Sequence, residues 1–157
     1  MKIYMVSVGK IHEAYIKAGV EDFTQRISKY FPAAWQIIAP PKNAAAMEEK
    51  ELKKQEAKLI LQTISNDDFL ILLDERGKQF SSPELAQFIQ QRANESNKRL
   101  VFLIGGAYGT DETVIKRANY TWSLSKLVFP HMLVRLILAE QLYRACTILK
   151  NEKYHHS

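Results

Sequence analysis

Cysteine is nearly absent: Cys146 is the only one in 157 residues. That scarcity excludes a disulfide framework and a thiolate zinc cluster, and the lone thiol reads as a buried structural group. Long uninterrupted apolar runs are missing as well. The most hydrophobic stretch is broken by Arg135, Glu140 and Arg144, so no segment qualifies as a transmembrane span and no membrane partner is expected. The opening MKIYMVSVGK carries an early lysine, but Gly9 and Lys10 end its apolar run too soon for a secretory signal. A cytoplasmic location is the expectation. Internal repeats, low-complexity segments and long linkers are lacking, and the prolines before Asn43 read as a loop, so residues 1–157 are expected to form a single domain.

What remains is an ordinary globular composition, 46% hydrophobic and 25% charged, in a chain long enough to bury a substantial core. The formal net charge of +5 makes an acidic partner such as RNA plausible through phosphate attraction, although many unrelated proteins share such a charge.

Strand and helix signals alternate. KIYMVSV reads as a strand ending at Gly9, and Ile16, Val20, Phe23 and Ile27 mark an amphipathic helix between about His12 and Tyr30. WQIIA is a second strand, stopped by Pro40 and Pro41. A long helix is expected over 43–64, with Met47, Leu52, Leu59 and Ile60 inward and its Glu and Lys residues on a solvated face. DFLILLD and RLVFLI are continuous apolar runs, as in strands covered on both faces. Between them SSPELAQFIQQRA predicts a helix with Ser82 as N-cap, Pro83 at the first helical position and Glu84 beside the positive end of the dipole. DETVIKRAN is a short helix, TWSL a short strand, and PHMLVRLILAEQLYRACTILK the last helix. The pattern predicts an α/β fold with a mainly parallel sheet and helices on both faces.

In such a sheet, ligands collect where the strands end. Three exits stand out: LLDERGK at 72–78, LIGGAYG at 103–109 and WSLSKLVFPH at 122–131. Gly105 and Gly106 let backbone donors approach a ligand closely, although glycines after a strand serve tight turns as often. The spacing is GGxxG, and Asp111 and Glu112 follow it. These acids disfavour a pyrophosphate and suit a cationic ligand, so S-adenosylmethionine fits better than a dinucleotide. The DERGK turn is either an exposed loop in which Gly77 takes positive φ or a place where Arg76 or Lys78 meets RNA phosphate. Leu73, just before it, can offer backbone groups to an adenine edge.

The last helix carries apolar residues on more than one stripe, which implies burial on more than one side and favours a homodimer. Glu140 and Arg144 share one face and can pair, as a structural bridge or as part of a site. His131 and Arg135 have the same spacing on another face. His131 has no assigned task.

Together LLDERGK, FLIGGAYG, SLSKLVFPHMLVR, AEQLYRA and the terminal YH resemble the SPOUT family of methyltransferases, in particular its members that act on the bacterial large ribosomal subunit. The resemblance runs from the first strand to Tyr154 and His155. It implies a trefoil-knotted α/β fold, S-adenosylmethionine as donor, a homodimer, and methylation of N3 of a pseudouridine in 23S rRNA, the family's 1915 position, within the assembled ribosome. It also implies that Leu73, Gly106 and the stretch Leu124, Ser125, Lys126, Leu127, Val128 and Phe129 line the cofactor pocket, with Gly105 supporting the turn. The tail and last helix would border the substrate, and Tyr108 and His156 receive no role.

N3 of a pseudouridine carries a proton and is a poor nucleophile until that proton is drawn away. His155 is therefore expected to assist its removal or to orient the base, Tyr154 to pack against or hydrogen-bond it, and Arg144 to anchor a phosphate or an imide oxygen. His155 and His156 lack metal-ligand spacing and acidic or cysteine companions, so no metal is expected. Two readings from other classes compete: an oxidoreductase using the glycine loop for a nicotinamide cofactor, and a ribosome-binding module without turnover.

Overall fold

A computed structural model describes residues 1–156. Five strands, β1 (Lys2–Val8), β2 (Ala33–Ile38), β3 (Phe69–Lys78), β4 (Arg99–Ile104) and β5 (Tyr120–Trp122), form one sheet in the order β2-β1-β4-β3-β5. Every pairing between them is parallel. The helices are α1 (Ala14–Ile27), α2 (Glu49–Thr63), α3 (Ser82–Asn94), α4 (Glu112–Arg117) and α5 (His131–Leu149). Among the described residues no helix is long and apolar enough to cross a membrane.

The apolar runs of β3 and β4 are continuous because both faces of the sheet are covered. On one face Ile71, Leu100 and Phe102 join Ile27 of α1, Leu85 and Ile89 of α3, and Leu138 and Leu142 of α5. On the other, Leu70, Leu72, Val101 and Leu103 meet Ala57 and Ile60 of α2 and Val114 of α4. Burying such side chains contributes about 1.5–3 kcal/mol each before chain entropy is set against it. Cys146 lies in the first core, where burial pushes its thiol up to about 12. It is the structural thiol that the composition implied.

Local signals set most boundaries, with corrections. The N-cap of α3 is Ser81, whose Oγ accepts from Glu84 N at 3.2 Å; Ser82 is already helical and donates instead to Gln141 Oε1 on α5 at 2.7 Å. The expected helix over 43–64 is divided. Ala44–Ala46 form a single 3₁₀ turn, Met47 and Glu48 are extended, and α2 proper begins at Glu49. Met47 thus lies outside α2, and Leu59 is only half-buried.

DERGK is not a free loop. Leu73 and Lys78 both pair with Trp122, so residues 74–77 bulge out of β3 and return to it. Gly77 does not take positive φ there. It is needed for close approach: a Cβ at this position would stand 2.5 Å from Thr121 O and 2.7 Å from Trp122 N. These are backbone atoms of β5, which makes relief costly, and Gly77→Ala is expected to destabilise the protein by about 1–3 kcal/mol in urea unfolding.

The chain reaches β5 at the far edge by way of α4. The following segment then returns so that α5 packs between α1 and α3 on the opposite face. Ser123 N donates to Lys78 O at 2.9 Å at the start of this return, and His131 Nε2 meets Gly105 O at 2.9 Å at its end.

Candidate active site

That return encloses a cavity of about 650 Å³ at the carboxyl ends of β3 and β4, a size suited to a cofactor or small substrate. Its walls come from the three exits: Leu73 to Arg76, Ile104 to Thr110, and Leu127 to Phe129, with His131 and Val134 of α5 and Lys53 of α2. Of the residues expected to hold a cofactor, Leu73, Gly105, Gly106, Leu127, Val128 and Phe129 lie in this wall. Leu124, Ser125 and Lys126 do not. Leu124 packs on the core, Lys126 is exposed, and Ser125 shapes the turn: its carbonyl accepts from Ser123 Oγ at 3.0 Å and its Oγ accepts from Leu127 N at 3.0 Å. That turn leaves Leu127 and Val128 70% and 82% exposed, an apolar lip at the rim.

The wall is mostly acidic at its β3 end. Arg76 wraps back on Asp74, its Nε donating to Oδ1 at 2.9 Å and its Nη2 to Oδ2 at 2.8 Å. These bonds to Arg76 hold the Asp74 carboxyl below its usual range, so it stays ionised. Arg76 is thus paired with Asp74 while its side chain stays 69% exposed. Glu75 adds a second acid. Asp111, expected to face a cationic ligand, instead caps α4, accepting from Thr113 N at 3.1 Å and Thr113 Oγ1 at 2.7 Å.

Glu56 was missed by sequence reading, which placed the acids of α2 in solvent. It is 6% exposed, appears in no ion pair among the described residues, and burial pushes its carboxyl upward. Its carboxylate lies behind the glycine loop, where a Cβ on Gly106 would come within 2.5 Å of Oε1 and 2.6 Å of Oε2. A signal was available: Leu52, Glu56 and Ile60 recur every four residues, which sets Glu56 on the apolar stripe.

The tail forms a second cluster. Arg144 donates to Glu140 Oε1 from Nε at 2.9 Å and from Nη2 at 2.6 Å, and its Nη1 lies 3.2 Å from His155 Nδ1. Tyr154 Oη donates to the same Glu140 oxygen at 3.2 Å, its ring stacks edge-on against Tyr143 at 4.7 Å, and the Arg144 guanidinium sits 4.8 Å from its centroid. The three expected catalytic residues are therefore together. They are apart from the cavity: Arg144 lies ten residues beyond Val134, roughly 15 Å along the helix axis.

A family model described as "Predicted SPOUT methyltransferase" matches residues 1–155. The chain belongs to the SPOUT methyltransferase family. Its relatives include "Ribosomal RNA large subunit methyltransferase H" of Cytophaga hutchinsonii, 47% identical across 99% of this chain and 100% of that protein. The protein of the same name from Clostridium botulinum strain Kyoto is 42% identical, with 99% of each chain covered. Among solved structures, a probable methylase family protein from Haemophilus influenzae covers 99% of this chain and 70% of its own at TM-score 0.54 and 12% identity. A probable methyltransferase from Bordetella pertussis covers 92% and 95% at TM-score 0.56 and 11% identity. At those identities the structures speak for the fold alone. Membership in a methyltransferase family leaves the nicotinamide reading without support.

Gly106→Ala places a Cβ within 2.6 Å of the Glu56 carboxylate, the far end of a side chain that can turn aside, so it is expected to cost no more than about 1 kcal/mol in chemical denaturation. Glu56→Ala removes the obstacle. The double variant should recover that loss, giving a coupling of about 0.5–1 kcal/mol in a double-mutant cycle; strict additivity would contradict the contact.

Proposed function

We propose that this protein transfers a methyl group from S-adenosylmethionine to N3 of a pseudouridine in 23S rRNA on the assembled ribosome, working in the cytoplasm as a homodimer of single trefoil-knotted domains. The observation that carries the reading is the closure of three strand exits around one cavity, in a chain 47% identical to a protein named as a ribosomal RNA large subunit methyltransferase. The contact of the returning segment with both Lys78 and Gly105 supports the knot.

The cavity suits the donor on charge and shape. Glu75, beside the Asp74–Arg76 pair, offers an acid that suits a sulfonium or an ammonium, and Leu73, Phe129, Leu127 and Val128 offer apolar surface for a purine. The bound donor supplies an electrophilic methyl carbon. The N3 lone pair forms the new N–C bond while the methyl–sulfur bond breaks, its electron pair staying on sulfur and the N3 proton passing to solvent or a nearby base. The chain's contribution is alignment and charge stabilisation.

Because Arg144 Nη1 is a donor, His155 accepts on Nδ1 and carries its proton on Nε2. In that state His155 presents a hydrogen-bond donor, suited to an imide oxygen beside N3. Drawing electron density onto that oxygen acidifies N3, so His155 orients and activates the base, and Tyr154 supplies a face for it. The apolar face of α5 around Leu133, Leu136 and Ile137, only half-buried here, fits the dimer.

Ribosomes from cells lacking the enzyme, incubated with labelled S-adenosylmethionine and analysed by nucleoside mass spectrometry, should yield N3-methylated pseudouridine. Absence of label with a folded, donor-binding protein would refute the substrate. In the same assay His155→Ala should lower turnover roughly 100-fold at saturating donor, and assembled ribosomes should outperform naked rRNA.

A further inference from the structure

His131 stands in the cavity wall with one nitrogen engaged and the other without a partner. Its Nε2 lies 2.9 Å from the carbonyl of Gly105, which only accepts, so the proton of the neutral ring sits on Nε2. Behind it is Arg135, one turn further along α5 and 0% exposed. Its Nη1 donates to Lys10 O at 2.8 Å and lies 3.3 Å from His12 Nδ1, but Nε and Nη2 are buried without partners, and no carboxylate stands within ion-pairing distance among the described residues. A guanidinium buried with only the more distant charge of Glu13 set against it is costly. It lies close to the imidazole: the point where a Cβ on Gly9 would stand is 3.4 Å from Arg135 Nη2 and 3.9 Å from His131 Cε1.

We propose that His131 is a positioning residue that pins the glycine loop through Gly105 and, as a neutral ring in the wall, adds no positive charge to the cavity lining, so that the site favours the cationic methyl donor over its neutral thioether product. The inference rests on the donor assignment above and extends it to the discrimination between S-adenosylmethionine and S-adenosylhomocysteine. These two differ by one methyl group and one charge. Protonating His131 therefore weakens the first and leaves the second nearly unaffected. Burial first, and then Arg135, hold the imidazole below the ordinary histidine range, in keeping with this role.

Other ionisable groups face the same space. Lys53 comes from α2, Asp74, Glu75 and Arg76 from β3, Tyr108 from the glycine loop, and His12 lies across Arg135. Glu56, behind Gly106, is an acid whose carboxyl burial raises, so it also loses negative charge on acidification. The contribution of His131 is separated from theirs by substitution.

The test is calorimetric titration of the full chain with S-adenosylmethionine and with S-adenosylhomocysteine between about pH 8 and about pH 5. The donor-to-product ratio of dissociation constants should rise roughly 5- to 10-fold on acidification, as expected for one charge in a cavity of this size. In His131→Gln, whose amide can still donate to Gly105 O, the rise should shrink to what Glu56 alone contributes, and Glu56→Gln should retain the histidine's part. Arg135→Gln should move the midpoint to higher pH. A ratio independent of pH in the wild type, or equally dependent in His131→Gln, overturns the inference. Failure of both ligands to bind at any pH overturns the donor assignment instead. Should the variants not fold, NMR titration of the wild-type His131 ring decides: the donor must depress its midpoint more than the product does, by reciprocal linkage, and equal midpoints refute the proposal.

Discussion

The site exists because the chain, having laid β5 at the far edge of the sheet, must carry α5 back to the opposite face. That return is held at one end by Ser123 on Lys78 and by the close passage of Gly77 over Thr121, and at the other by His131 on Gly105. Remove it and the exits of β3 and β4 would be ordinary surface loops. With it in place, they become two walls of a cavity whose third wall is the returning segment itself. The cost is visible in the backbone: residues 74–77 leave the β3 ladder, and Gly77 stands where a Cβ would run into the backbone of β5. Ligand chemistry and topology are thus one problem, since the contacts that hold the crossing also shape the pocket.

Much of the architecture was legible because burial writes directly on sequence. Strands covered on both faces must be apolar over their covered length, and residues 69–73 and 100–104 are. Alternation of such runs with helical periodicity implies a parallel sheet, and every pairing is parallel. Strand order was not legible, because nothing local in TWSL says that it pairs with β3 at the edge. The break before Glu49 was invisible for a related reason: AAAMEEK favours helix at each position, so the interruption is imposed from outside.

The site was legible unevenly. The glycine loop, Leu73 and the rim residues Leu127 to Phe129 announced themselves by position at strand exits. Glu56 did not, since charge was read as exposure; its spacing with Leu52 and Ile60 outweighs its side chain. Arg135 was informative in one respect and silent in another. As an interruption it argued against a membrane span, but nothing in its charge announced that it is wholly buried. The grouping of Tyr154, His155 and Arg144 came from family resemblance, because a terminal YH carries no periodicity that would tie it to α5.

Two clusters on one helix frame the remaining question of assembly. His131 and Val134 face the cavity, whereas Glu140 and Arg144 hold the tail roughly 15 Å further along α5. Methyl transfer requires the attacking nitrogen to lie about 3–3.5 Å from the methyl carbon. A base held by His155 of the same chain cannot meet that condition at this cavity. The proposed roles of Tyr154, His155 and Arg144 therefore demand that a second copy bring its tail to the first copy's donor, with half-buried apolar residues of α5 as the surface available for that contact. On this view catalysis and dimerisation share one helix, and substitutions at Leu133, Leu136 or Ile137 would impair turnover without touching either the donor or the base.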